Sequence, residues 1–126
     1  MSKFVVCQHC KNIALMVEDK GVPMMCCGQK MDVLNPNTTE AAVEKHIPIV
    51  TVAGNVVTVK VAEVAHPMTE AHLISWIYLE TSAGGQMKYF SADMEVAEAQ
   101  FVLAEGEVAV AAYEYCNLHG LWKAEV

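Results

Sequence analysis

Residues 46–64, HIPIVTVAGNVVTVKVAEV, set two runs of mostly β-branched residues on either side of Gly54-Asn55. Val, Ile and Thr suit a pleated strand, and a Gly-Asn pair between two such runs is a two-residue hairpin signal. The pattern predicts strands over 47–52 and 56–64. The same rhythm continues toward the C-terminus: residues 73–80 and 86–90 flank Gly84-Gly85, residues 99–103 and 107–115 flank Glu105-Gly106, and residues 121–125 close the series. Seven strands with turn signals at this spacing predict a mainly β protein built on a β-sandwich. Helical periodicity is weak, confined to 38–45 and, more faintly, 93–99. Asn37 or Thr38 can cap the first of these, Glu40 lies in its first turn, and Pro48 stops it.

Upstream of the sandwich, residues 1 to about 34 hold four of the five cysteines and few large apolar side chains. A segment this small normally needs a metal or disulfides to fold. Asn35-Pro36-Asn37 favours a turn and marks the boundary, giving a metal-clipped domain over 1–36 and the sandwich over 37–126.

With 126 residues and 54% apolar composition, the chain can bury a substantial core. No uninterrupted apolar run approaches the roughly 18–20 residues of a membrane helix. The first residues, Met1-Ser2-Lys3-Phe4, run into a cysteine knuckle without the apolar stretch of a secretory signal, so a cytoplasmic protein away from the membrane is expected. A net charge of −7 with only 8 Lys+Arg argues against nucleic acid as a partner.

Cys7-Gln8-His9-Cys10 is a CxxC knuckle, and Cys26-Cys27 adds two more thiolates. Four thiolates satisfy a tetrahedral zinc or iron. Adjacent cysteines on one metal widen one sulfur–metal–sulfur angle, a distortion compatible with a one-electron iron. A disulfide within the pair would close a strained ring and leave the knuckle unexplained. His9 is read as an exposed spectator.

The other four histidines accompany the fifth cysteine in the sandwich portion. His46 precedes the first strand, His66 and His72 bracket a loop, and Cys116 and His119 share the last turn. Loop ends from distant parts of a sandwich can converge there. Four imidazoles and one thiolate suit a redox metal. They are one too many for a structural zinc and leave one octahedral position open, as an inner-sphere reaction needs. Two other readings compete: an electron-transfer or metal-storage module, and a structural zinc protein acting as a binding module. The first has no use for an open position, and the second leaves the histidines unexplained.

The segments Glu44-Lys45-His46-Ile47-Pro48, His66-Pro67-Met68 through His72, Ile74, Trp76 and Ile77, and Glu114-Tyr115-Cys116-Asn117-Leu118-His119-Gly120 resemble the superoxide reductases called desulfoferrodoxins and neelaredoxins. The N-terminal cysteines resemble the desulforedoxin-like domain of the two-iron members. The resemblance implies an Fe(Cys)₄ centre at Cys7, Cys10, Cys26 and Cys27, followed by an immunoglobulin-like domain. There, His46, His66, His72 and His119 would surround a second iron in a plane, with Cys116 axial. It further implies that Glu44 can occupy the sixth position in the oxidised state and that Lys45 assists attraction and protonation of superoxide. A rubredoxin-like electron donor, a cytoplasmic homodimer and a role in oxidative-stress defence follow from the same likeness. From spacing alone, Lys45 is equally an ordinary solvated lysine.

Overall fold

The computed structural model describes residues 2–38, 46–61 and 66–126. These divide into two compact units, Met1–Asn35 and Pro36–Val126.

In the first unit, β1 (Phe4–Val6) lies between β2 (Ile13–Leu15) and β5 (Asp32–Val33), all antiparallel. Phe4, Val5, Val6 and Cys7 are buried and form most of what this unit has for a core. The knuckle turns back between β1 and β2: the Lys11 amide donates to the Cys7 carbonyl at 2.8 Å, and Lys11 takes φ +67°. A second hairpin pairs β3 (Met25–Cys26) with β4 (Gln29–Lys30). Its two turn residues, Cys27 and Gly28, have φ +52° and +74°. Positive φ at both central positions is the type I′ turn that matches strand twist.

The second unit is a sandwich of a three-stranded and a four-stranded sheet, every pair antiparallel. One sheet is ordered β10 (Glu98–Val102), β7 (Val56–Lys60), β6 (Ile49–Ala53); the other is β12 (Gly120–Glu125), β11 (Ala109–Cys116), β8 (Ile74–Thr81), β9 (Gly84–Tyr89). Alternation puts Val57, Val59, Ala99 and Phe101 of the first against Ile77, Leu79, Ala112 and Cys116 of the second. The hairpin at Gly54-Asn55 forms as its sequence predicts, Ala53 facing Val56 and only Gly54 left-handed, at φ +62°.

Three expectations need correction. The β8–β9 turn falls on Ser82-Ala83, with Thr81 opposite Gly84, so the glycine pair lies inside β9. Gly85 is there because the Tyr78 ring crosses its Cα: a methyl group at residue 85 would sit well inside van der Waals contact with that ring. Gly85→Ala is therefore expected to destabilise the sandwich by about 1–3 kcal/mol, read as a lower urea midpoint at unchanged m. Ala92-Asp93 is a turn and residues 94–97 are irregular rather than helical, with β10 beginning at Glu98. Glu105-Gly106 is a turn, but it carries the chain from one sheet to the other instead of closing a hairpin. The expected helix over 38–45 lies almost wholly outside the described residues. Asn37, one of the two residues expected to cap it, uses its side chain elsewhere, accepting from the Lys123 amide at 2.9 Å and donating to the Lys123 carbonyl at 3.0 Å.

The β8–β11 ladder slips between Tyr115 and Cys116, Tyr115 facing Trp76 but Cys116 facing Ile74. A bulge of this kind re-aims side chains at the end of a strand. Here it lets Ile74 and Cys116 both face the core just where β8 follows His72 and β11 ends.

Candidate metal centres

The four N-terminal sulfurs lie within 4.8 Å of one another. Cys10 Sγ is 3.6 Å from Cys26 Sγ, and Cys26 Sγ is 3.9 Å from Cys27 Sγ. Sulfurs at the corners of a tetrahedron with metal–sulfur bonds of about 2.3 Å stand about 3.8 Å apart. A disulfide needs about 2.05 Å, so these separations describe ligands and not a bond between sulfurs. The type I′ turn explains how neighbouring cysteines can share one metal. In a straight strand Cys26 and Cys27 would point to opposite faces; the left-handed φ of Cys27 brings its sulfur back beside that of Cys26. The Cys10 amide points at Cys7 Sγ at 3.5 Å; this hydrogen bond first, then the His9 amide and the Cys10 and Cys26 thiols, bring the Cys7 thiol down to about 6 against the effect of burial, while hydrogen bonds with Cys10 and Cys7 push Cys26 up to about 12. A thiolate is thereby favoured before any cation arrives.

In the sandwich, His46 stands just ahead of β6, His66 and His72 lie in the loop before β8, Cys116 ends β11, and His119 sits in the β11–β12 turn. That turn closes through Gly120, whose φ of +82° lets Cys116 and Gly120 face each other as its two ends. Neighbouring imidazole centroids, taken in the order 46, 66, 72, 119, are 4.9, 4.6, 5.0 and 4.9 Å apart, with planes crossed at 76–88°. The 46–72 diagonal is 6.5 Å, those rings inclined by only 27°. The four rings thus occupy the corners of a square. His46 Nε2 is 3.2 Å from His66 Nε2 and 3.1 Å from His119 Nδ1. Right-angle nitrogens on a metal at about 2.1 Å stand about 3.0 Å apart. One ring nitrogen can share a proton with only one of two such neighbours, whereas a single cation satisfies all three.

Cys116 Sγ is 3.8 Å from His119 Nδ1, and the donor atoms of His46, His72, Cys116 and His119 fall within 4.8 Å of one another. His66 completes the square through its neighbours on either side. Its Nδ1 donates to the Pro67 carbonyl at 2.6 Å. A carbonyl only accepts, so the proton is fixed on Nδ1 and Nε2 presents its lone pair inward. Burial lowers the His66 pKa to about 4, a value to which repulsion from His46, His72 and His119 contributes. The ring is therefore neutral at pH 7 and able to ligate. Burial raises the Cys116 thiol, while the Leu118 and His119 amides oppose that rise by donating to its sulfur. His46, 1% exposed, also stacks on Trp122 at 4.9 Å and 22°, which sets the plane of its ring.

Three contributors escaped the sequence reading. Trp122 had no assigned role. The turn that holds Asn117 is expected to tune Cys116 through its backbone N–H groups, but the Asn117 side chain had no assigned role, and it ties two loops of the site together. Glu114 is fully buried, and among the described residues neither carboxylate oxygen has a hydrogen-bond partner. Burial pushes its carboxyl up to about 10, so it is uncharged at pH 7 and sets no second anion beside Cys116. Its signal was available: in β11, residue 114 shares the inward parity of Ala112 and Cys116, an unusual place for a carboxyl group. Glu44 and Lys45 lie outside the described residues.

The family described as desulfoferrodoxin matches residues 38–125. The chain is similar to the desulfoferrodoxin of Syntrophotalea carbinolica, with 41% identity over 119 residues covering 94% of this chain and 92% of that one. The desulfoferrodoxin of Nitratidesulfovibrio vulgaris matches to the same extent. Among solved structures, the superoxide reductase from Treponema pallidum superposes with a TM-score of 0.83 at 37% identity, covering 99% of both chains. The superoxide reductase (1Fe-SOR) from Giardia intestinalis, with a TM-score of 0.57 and 32% identity, covers 97% of its own length but 66% of this chain.

Proposed function

Because the chain belongs to the desulfoferrodoxin family, we propose that His46, His66, His72, His119 and Cys116 hold the iron at which superoxide is reduced to hydrogen peroxide, and that Cys7, Cys10, Cys26 and Cys27 hold a second iron. The chain is a superoxide reductase, an oxidoreductase; in the reaction proposed here superoxide gives peroxide and no dioxygen. The observation that carries the reading is the square of four crossed imidazoles with a thiolate beside it.

An iron bound there would supply the electron and a place for the superoxide anion to bind. The protein's part is to set charge and to handle protons. Neutral imidazoles such as His66 add no charge of their own, so the Cys116 thiolate is the only anion among the five donors and the centre would stay attractive to an anion. That thiolate donates electron density, and the Leu118 and His119 amides limit how much. Burial disfavours a charge on the Glu114 carboxyl, a charge that would oppose the substrate's.

Lys45 directly precedes His46, and its ammonium provides a local attraction for superoxide and a proton source for the product. With iron bound, Glu44 would be the protein group able to ligate it reversibly in the oxidised protein. The net charge of −7 is not an obstacle, since charges beyond about 8–10 Å are largely screened at physiological salt. Lys45→Ala is expected to slow the bimolecular step about tenfold and weaken its dependence on ionic strength. Pulse radiolysis at two salt concentrations checks this, and an unchanged rate at both contradicts steering by Lys45.

The domain division, with an Fe(Cys)₄ domain over 1–36 ahead of the reductase domain over 37–126, is supported by the separate compact unit at Met1–Asn35 and by the shorter one-iron relative's coverage. A homodimer is supported by exposed apolar side chains on the first unit, notably Val17 at 92%, Val22 at 72% and Met25 at 60%. The proposed setting is the cytoplasm, with a rubredoxin-like protein as electron donor and detoxification of superoxide as the role; among the described residues no helix is long and apolar enough to cross a membrane. Metal analysis with visible spectroscopy tests the reading. Two irons per chain and a thiolate-to-iron(III) band are expected; a colourless zinc protein contradicts it.

A further inference from the structure

We propose that Asn117 is the positioning residue that fixes His72 in register with Cys116, an inference that rests on the reading of the four-histidine site given above. His72 and Cys116 come from opposite ends of neighbouring strands, the first just before β8 and the second at the end of β11. The ladder between those strands slips beside them. Regular pairing therefore does not set the distance from one donor to the other.

The loop carrying His72 is closed on itself. The Thr69 amide donates to the His72 carbonyl at 2.9 Å, the His72 amide donates to the Thr69 carbonyl at 3.1 Å, and Thr69 Oγ1 lies within hydrogen-bond reach of both His72 backbone groups. This makes 69–72 a stiff unit that moves as a piece. Asn117, one residue past Cys116, holds that piece and the residue that follows it at three points. Its amide donates to the Leu73 carbonyl at 3.1 Å, its Oδ1 accepts from the Leu73 amide at 3.0 Å, and its Nδ2 donates to the Glu70 carbonyl at 3.3 Å. Glu70 and Leu73 bracket His72, so the grip holds both sides of the ligand's backbone. A side chain that both donates and accepts across these spans is needed, and the planar carboxamide of Asn or Gln offers that pair on adjacent atoms. Asn has the shorter reach that fits a turn.

Partners that orient metal ligands commonly change metal affinity by about 10–100-fold when removed. Asn117→Ala deletes both side-chain bonds; Asn117→Asp keeps an acceptor for the Leu73 amide but turns an acceptor toward the Glu70 carbonyl. In iron-loaded protein, chelator-driven release from the histidine–cysteine centre is expected to speed up about 10–100-fold in N117A and by an intermediate factor in N117D. The thiolate-to-iron(III) band should shift, with the N-terminal cysteine centre's spectrum unchanged. In metal-free protein, amide exchange across 70–73 should be faster in both variants. Release and exchange at wild-type rates in N117A overturn the proposal; should N117A fail to fold, the same two rates in N117D decide it. Wild-type protein with a protected 70–73 segment that takes up no iron overturns the site reading while leaving the grip of Asn117 standing.

Discussion

Replacing Cys116 with serine is expected to lower peroxide formation from superoxide by more than about 100-fold while leaving the protein folded. The thiolate is the one anionic ligand in the set, and a serine hydroxyl at neutral pH is neither anionic nor a soft donor. The loss should exceed the roughly 10–100-fold typical of partners that merely orient a ligand. Cys116 is fully buried, so the new hydroxyl costs about 1–3 kcal/mol against folding. The Leu118 and His119 amides that point at its sulfur stand ready to receive the oxygen, which keeps the cost toward the lower figure. His119→Ala should lose activity to a similar degree by removing a corner of the square. Peroxide yield after pulsed superoxide, alongside a thermal melt, separates lost chemistry from lost fold. Steady activity in a folded Cys116→Ser protein contradicts the role given to the thiolate.

Removing the metal from the N-terminal cysteines should unfold the first unit and spare the second. That unit, Met1–Asn35, has strands of only two or three residues, and all of its cysteines are free thiols. Its core is little more than Phe4, Val5, Val6 and Cys7. Domains below about 40 residues seldom bury enough surface to fold unaided. Structural zinc in zinc-finger peptides contributes on the order of 10–16 kcal/mol of apparent binding energy, which is then folding energy, and a metal held by four thiolates acts on this unit in the same way. The sandwich has its own two-sheet core and needs none of it. Cys10→Ser is accordingly expected to erase amide protection over 4–33 and the visible spectrum of that centre, with peroxide production retained. Hydrogen exchange resolved along the chain checks this; persistent protection of β1 in metal-free protein contradicts it.

The sandwich and its seven strands were readable because strand-formers and turn residues alternate cleanly, and Gly54-Asn55 shows the rule working as written. Gly84-Gly85 shows where it fails. Local turn chemistry cannot reveal that an aromatic ring from the neighbouring strand requires a missing Cβ, and Ser82-Ala83 takes the turn instead. The metal-binding candidates were readable from residue type and spacing, since few roles need four histidines and a cysteine in one small domain. The structure brings all five together. What spacing could not convey was how they are held: the type I′ turn that aims Cys27, the Pro67 carbonyl that sets the His66 tautomer, the Trp122 face behind His46, and the clasp of Asn117. Each depends on a backbone conformation or a partner distant in sequence. Glu114 lies between these cases, because its inward parity is legible once β11 is placed.

The most direct test of the central claim is to generate a pulse of superoxide against the reduced protein and quantify peroxide and dioxygen together. The square of histidines with its thiolate predicts peroxide equal to the superoxide consumed and no dioxygen, the electron having come from the protein. Dioxygen released alongside half that amount of peroxide would mean dismutation and would contradict the assignment.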